Sequence, residues 1–200
     1  MTELQLVTSN EGKLREFRQL LAGAGVLVQA LSLEVEESGA TYQENALLKV
    51  AIGAASSSRP VLADDSGLEL AALSGYPGIH SARIAPTDQE RRALVLAKLA
   101  EKSVPRPWEA RFVCVLALLF PGSAPQLFRG ELEGELVPEE RGVGGFGYDP
   151  IFLPKGSTRT LAEVPEEEKN QMSHRGRALT ALLRSGALSG DAARKNHRRY

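Results

Sequence analysis

The 200-residue sequence is poor in several residue types, with one cysteine, one tryptophan, two methionines and three histidines. The single Cys114 excludes an intrachain disulfide framework and a cysteine-rich zinc site. It suits a reducing compartment. No long hydrophobic run is present. The longest extends from Phe112 to Phe120 and is stopped by Pro121; so short a run cannot span a bilayer as a helix and suits a buried strand. The opening stretch, MTELQLVTSN, lacks a basic region followed by an apolar one, so a signal peptide is not expected. A soluble cytoplasmic protein with no membrane partner is the expectation. Charge of one sign is also missing, because 24 Lys and Arg stand against 25 Asp and Glu for a net −1. A general polyanion binder would carry a basic excess, so no nucleic-acid partner is expected. The balance is uneven. Residues 191–200 hold four basic residues against one acid, +3, which leaves −4 for the rest. The chain therefore divides into one domain over 1–190 and a basic tail over 191–200, expected to be disordered.

What is present is a core-forming complement, with 42% of residues hydrophobic. Leu4–Val7 reads as a strand, followed by a helix with Leu14, Phe17, Leu20 and Leu21 on one face and ended by Gly23 and Gly25. Residues 26–33 form a second strand. Thr41-Tyr-Gln-Glu44 is a capping box for a helix to about Ser56, and Thr87-Asp-Gln-Glu90 another for a helix to about Lys102. Residues 61–63 are a strand, and 68–73 continue as strand or helix. Residues 110–120 form the most apolar strand, placed centrally in the sheet. Residues 128–137 alternate as a half-buried strand should. Residues 165–183 are helical, with a break near Ser173. Strands mixed with helices throughout indicate an α/β class with a mixed sheet.

Four stretches carry chemistry. Thr8, Ser9, Asn10, Glu11, Gly12 and Lys13 sit at a strand-to-helix junction, where free N–H groups and a positive dipole end attract an anion. An ordinary N-cap explains the same residues. In Ala63-Asp64-Asp65-Ser66-Gly67, two carboxylates at a strand end can hold a hard divalent cation, although in a strand they point oppositely. The loop Arg141–Pro150 matches G-x-G-x-x-G literally, but Pro150 bars the helix that a dinucleotide fingerprint must open. A glycine loop carrying Phe146 and Tyr148 suits closure around a flat base instead. The fourth stretch, Glu166–Arg175, gathers Lys169, His174 and Arg175 beside acids; a charged helix surface is its plainer explanation.

Taken in order, these stretches resemble the non-canonical purine nucleoside triphosphate pyrophosphatases, the inosine/xanthosine triphosphate family. The matching blocks are Thr8-x-Asn10-x-x-Lys13, Glu44-Asn45-Ala46-x-x-Lys49, Ala63-Asp64-Asp65-Ser66-Gly67-Leu68, Pro77-Gly78-Ile79 with Ser81-Ala82-Arg83, Ala110-Arg111-Phe112-x-Cys114, Gly145-Phe146-Gly147-Tyr148-Asp149-Pro150, and Glu168-Lys169-Asn170 with Ser173-His174-Arg175. The resemblance implies an elongated two-lobed α/β domain with a long mixed sheet flanked by helices, an active site in the cleft between lobes, and a homodimer. It implies hydrolysis of ITP, dITP and XTP to the monophosphate and pyrophosphate with Mg²⁺. Asp65 would be the general base and a metal ligand, with Glu36 as companion carboxylate and Glu37 or Glu44 as alternatives. Thr8, Ser9, Asn10, Glu11, Gly12, Lys13 and Ser66 would hold the triphosphate. Phe146 and Tyr148 would stack on the purine, in the loop that includes Gly147, and Asp149, Lys169, His174 and Arg175 would read its edge.

Overall fold

The computed structural model describes residues 2–188. The expected tail over 191–200 lies outside these residues. Six strands, β1 (Thr2–Val7), β2 (Val26–Leu31), β3 (Val61–Leu70), β4 (Trp108–Leu119), β5 (Gln126–Leu136) and β6 (Phe152–Pro154), form one sheet in the order β2-β1-β3-β4-β5-β6. β1 pairs in parallel with both β2 and β3, whereas β5 and β6 are antiparallel, so the sheet is mixed. Among the described residues, five α-helices accompany it: α1 (Glu11–Ala22), α2 (Tyr42–Ala55), α3 (Asp88–Glu101), α4 (Glu166–Met172) and α5 (His174–Arg184). No helix among the described residues is long and apolar enough to cross a membrane.

The described residues divide into two compact units, one of 2–65, 114–130 and 175–188, the other of 66–113 and 131–174. The boundaries fall inside β3, β4 and β5, so these three strands each contribute to both units. Each unit has its own core. The first packs Leu14, Phe17 and Leu21 of α1 with Leu4, Leu6 and Leu62 of the sheet, the Cys114–Leu118 part of β4, and Leu179 and Leu182 of α5. The second packs Leu68, Leu70, Trp108, Phe112 and Leu132 of the sheet with Val95 and Leu99 of α3, and with Tyr148, Ile151 and Phe152. The apolar run 112–120 lies mostly within β4, an inner strand of the sheet.

Local chemistry accounts for the ends of the helices. Asn10 caps α1 by accepting from the Lys13 N–H at 3.0 Å. Thr87 opens α3 with a complete reciprocal capping box to Glu90. The box expected at Thr41 is only half formed. Thr41 accepts from the Glu44 N–H, but the Glu44 carboxylate turns to the Ala40 N–H at 2.6 Å, one residue earlier. The expected ambiguity over 68–73 resolves as strand through Leu70, then a short 3-10 turn over Ala71–Leu73. The break near Ser173 is present: its extended backbone (ψ 159°) separates α4 from α5. Lys169 falls in the second unit and Arg175 in the first, the division lying after His174.

Candidate active site

In β3 the side chains of Asp64 and Asp65 leave opposite faces, and both are buried. Each has a distinct set of partners in the first unit. Asp64 Oδ2 lies 2.8 Å from Lys13 Nζ and 3.8 Å from Arg175 Nε. Arg175 in turn pairs with Glu16 of α1 at 2.8 Å. Two acids and two bases thus lie together with no net charge, which is how buried ions are tolerated. Burial works to raise the Asp64 pKa, but Lys13, Arg175 and Lys49 outweigh it, and the carboxyl stays well below the usual carboxylate range.

Asp65 faces α2. Its Oδ2 accepts from Asn45 Nδ2 at 3.2 Å and its Oδ1 from Lys49 Nζ at 3.1 Å. Lys49 also donates to the Asp64 carbonyl at 3.0 Å and forms an ion pair with Glu37. Burial pushes the Asp65 pKa up; Lys49 opposes the rise and Glu37 adds to it, leaving the group above its ordinary value. A carboxylate shifted that way is better matched to accepting a proton near neutral pH. Gly39 lets the acidic loop close on α2. Its N–H donates to Asn45 Oδ1 at 2.8 Å, and a Cβ there would meet that oxygen and Glu44 Cβ at 2.7 Å.

No group of three or more His, Cys, Asp or Glu poised for a metal occurs among the described residues. The donor set around Lys49 is nevertheless all oxygen: two carboxylates, Asp65 and Glu37, and one carbonyl, converging on a single cation. Such hard donors suit Mg²⁺, which takes one or two carboxylates and completes its shell with waters and phosphate oxygens. Glu37 holds this position, whereas Glu36 is exposed. Glu44 serves the start of α2.

The phosphate-side residues of the sequence reading lie at the head of α1. Thr8 Oγ1 accepts from the Asn10 N–H at 3.1 Å, Ser9, Asn10 and Glu11 are exposed, and Gly12 and Lys13 half-buried. Ser66 is half-buried in β3.

The base-side residues divide. In the second unit, Asp149 Oδ2 accepts from both Lys169 Nζ at 2.7 Å and the Phe146 N–H at 2.9 Å. Lys169 Nζ stands 4.8 Å from the Phe146 ring centroid. Gly145 makes this turn possible, since its φ is +71° and a Cβ would lie 2.1 Å from the Asp149 carboxylate. Phe146 is half-buried. Tyr148 is instead a core residue: its hydroxyl donates to the Ser81 carbonyl at 2.8 Å, and burial pushes its pKa far up. His174 stacks on Phe112, with centroids 4.7 Å apart and planes 13° from parallel. Arg175 is not in this group; it belongs with Glu16 and Asp64. A groove of about 970 Å³ in the second unit, bordered by Glu69, Arg111, Glu133 and Lys155, includes none of the nominated residues.

The sequence assigned no site role to Asn45, Lys49 or Glu16, and offered Asp64 only as one of two carboxylates able to hold a cation. Asn45 and Lys49 carried a signal, because they share a motif block and sit four apart on α2, hence on one face. Glu16 lies outside the motif blocks, three residues after Lys13 on α1.

A model of the Ham1 family matches residues 4–185. The chain belongs to the Ham1 family. Among its Ham1-family relatives, it is 50% identical over 184 residues to a dITP/XTP pyrophosphatase of Symbiobacterium thermophilum, covering 90% of this chain and 92% of that one. It is 47% identical to a dITP/XTP pyrophosphatase of Deinococcus deserti, covering 90% and 87%. Among solved structures, a HAM1 protein from Coxiella burnetii superposes with a TM-score of 0.81 at 40% identity, covering 92% of this chain and 98% of that one. The Staphylococcus aureus Ham1 protein gives 0.79 at 36% identity, covering 92% and 97%. The mixed α/β fold is that of the Ham1 proteins.

Proposed function

We propose that this Ham1-family chain hydrolyses dITP, XTP and ITP to the monophosphate and pyrophosphate, removing non-canonical purines from the nucleotide pool. The observation that carries the reading is the buried Asp65, its pKa raised and both of its oxygens held by Asn45 and Lys49. The names of the relatives supply the substrate class.

In this reading Asp65 accepts the proton of the attacking water, and the Asn45 and Lys49 hydrogen bonds fix the direction in which its carboxylate faces. Asp65 and Glu37 are the residues that would hold Mg²⁺, which, when bound, neutralises phosphate charge and polarises the anhydride. Lys13, Ser66 and the α1 N-terminus over residues 8–12 take the phosphates. Phe146 covers the purine face, while Lys169, oriented by Asp149, presents a donor. Hypoxanthine and xanthine carry an acceptor oxygen at position 6 where adenine carries a donor amine, so a lysine there favours the former. His174, fixed on Phe112, is assigned to the base edge; Arg175, paired with Glu16 and near Asp64, is not given that role. The enzyme is proposed to work as a cytoplasmic homodimer.

The test is product analysis with Mg²⁺ and a panel of nucleotides. Pyrophosphate and IMP are expected from ITP, with ATP turned over far more slowly. Asp65→Asn should reduce kcat by at least about 10²-fold. Release of single phosphate, equal rates on ATP, or near-normal turnover by Asp65→Asn would each contradict the assignment.

A further inference from the structure

The glycine loop that carries Phe146 is gripped from outside by α3. Both backbone groups of Gly147, the residue after Phe146, are taken by side chains of that helix. The Gly147 N–H donates to Asp88 Oδ2 at 2.8 Å, and the Gly147 carbonyl accepts from Arg92 Nη1 at 2.7 Å. Asp88 and Arg92 are four residues apart and share one helix face. Arg92 also holds the carboxylate of Glu140 through two nitrogens, at 2.8 and 2.9 Å. Glu140 stands immediately before the loop. Asp88 is itself tied to Arg91 at 2.8 Å. The loop is therefore fixed at its entry and just beyond its aromatic residue, while the Phe146 N–H is fixed by Asp149. Four of the six residues from Gly142 to Gly147 are glycine, and Gly142, Gly145 and Gly147 all have positive φ. Such a chain has little conformational preference of its own, so external hydrogen bonds must select its shape.

We propose that Asp88 and Arg92 are positioning residues for Phe146, holding its ring where it meets the purine. This rests on the reading above, in which Phe146 covers the base. It predicts a loss confined to ligands that have a base. The Arg92 hydrogen bond is charge-assisted, the class whose loss costs about tenfold or more in a binding constant.

The test compares Arg92→Met, Arg92→Lys, Phe146→Ala and the Arg92→Met/Phe146→Ala double variant. The readouts are KM and kcat on ITP, and Ki for inorganic tripolyphosphate, which has no ring. Arg92→Met should raise the ITP KM about tenfold, with kcat changed less than about threefold and the tripolyphosphate Ki unmoved. Arg92→Lys should recover part of the loss, because lysine can still donate to the Gly147 carbonyl but cannot fork onto Glu140. The double variant should be no worse than Phe146→Ala alone, the signature of one residue acting through the other. Additive losses, or a tripolyphosphate Ki that rises with the ITP KM, would overturn the proposal. If Phe146→Ala raises KM and Arg92→Met does not, the clamp fails and the base-binding reading stands. If Phe146→Ala leaves KM unchanged, the base-binding reading itself fails.

Discussion

The Lys49 ammonium sits among the oxygens of Asp65, Glu37 and the Asp64 backbone, and on this arrangement the proposed reading takes Glu37 rather than Glu36. Glu37→Gln should weaken the proposed Mg²⁺ binding, moving the half-saturating concentration for turnover upward by about tenfold. Glu36→Gln should leave it in place. A Mg²⁺ titration of the two variants separates them, and equal behaviour would remove Glu37 from the site. Tyr148 gives a prediction of a different kind. Its folded pKa lies above the ordinary phenol value of 10.0 because burial disfavours the phenolate. A raised folded pKa means that its contribution to stability is intact below about pH 10 and is lost as pH rises past that value. Tyr148→Phe should cost about 1 kcal/mol at pH 8, from the hydrogen bond to the Ser81 carbonyl. The difference from wild type should shrink by pH 10.5; urea midpoints at the two pH values provide the check. At this scale the sequence was informative where chemistry is local. The Asn10 cap and the opposed Asp64 and Asp65 side chains follow from neighbours in the chain. The partition of Tyr148 into the core, and of Arg175 toward Glu16 159 positions away, depends on long-range packing that no local pattern encodes.

Elements begin and end for reasons that mutation can isolate. Thr87 closes a complete capping box, so Thr87→Ala should destabilise by about 1 kcal/mol, read as a lower Tm. At Thr41, where the box is half made, the Glu44 carboxylate serves the Ala40 N–H rather than the cap residue. Both sites show the same S/T-x-x-E signature, so the pattern predicted where each helix starts but not the partner of its glutamate. The break near Ser173 was expected from the sequence, and the extended Ser173 backbone bears it out. What was not legible is that Lys169 and Arg175, on either side of it, fall in different compact units, a fact of tertiary structure.

For the whole molecule, two cores are threaded by three shared strands. Continuity of the chain through β3, β4 and β5 means that unravelling one unit frays strands needed by the other. Leu116 belongs to the first core and Trp108, the only tryptophan, to the second. Leu116→Ala should cost about 2–5 kcal/mol. Trp108 fluorescence and far-ultraviolet circular dichroism should report the same shifted urea midpoint; separate midpoints would show that the units melt independently.

The sole cysteine of the chain has no solvent exposure in β4. Val143, in the glycine loop, is fully exposed. A thiol introduced by Val143→Cys would therefore be the one that reagents reach readily, with no need to delete Cys114. A dye attached there would give a background-free optical record of the loop as nucleotide arrives and leaves.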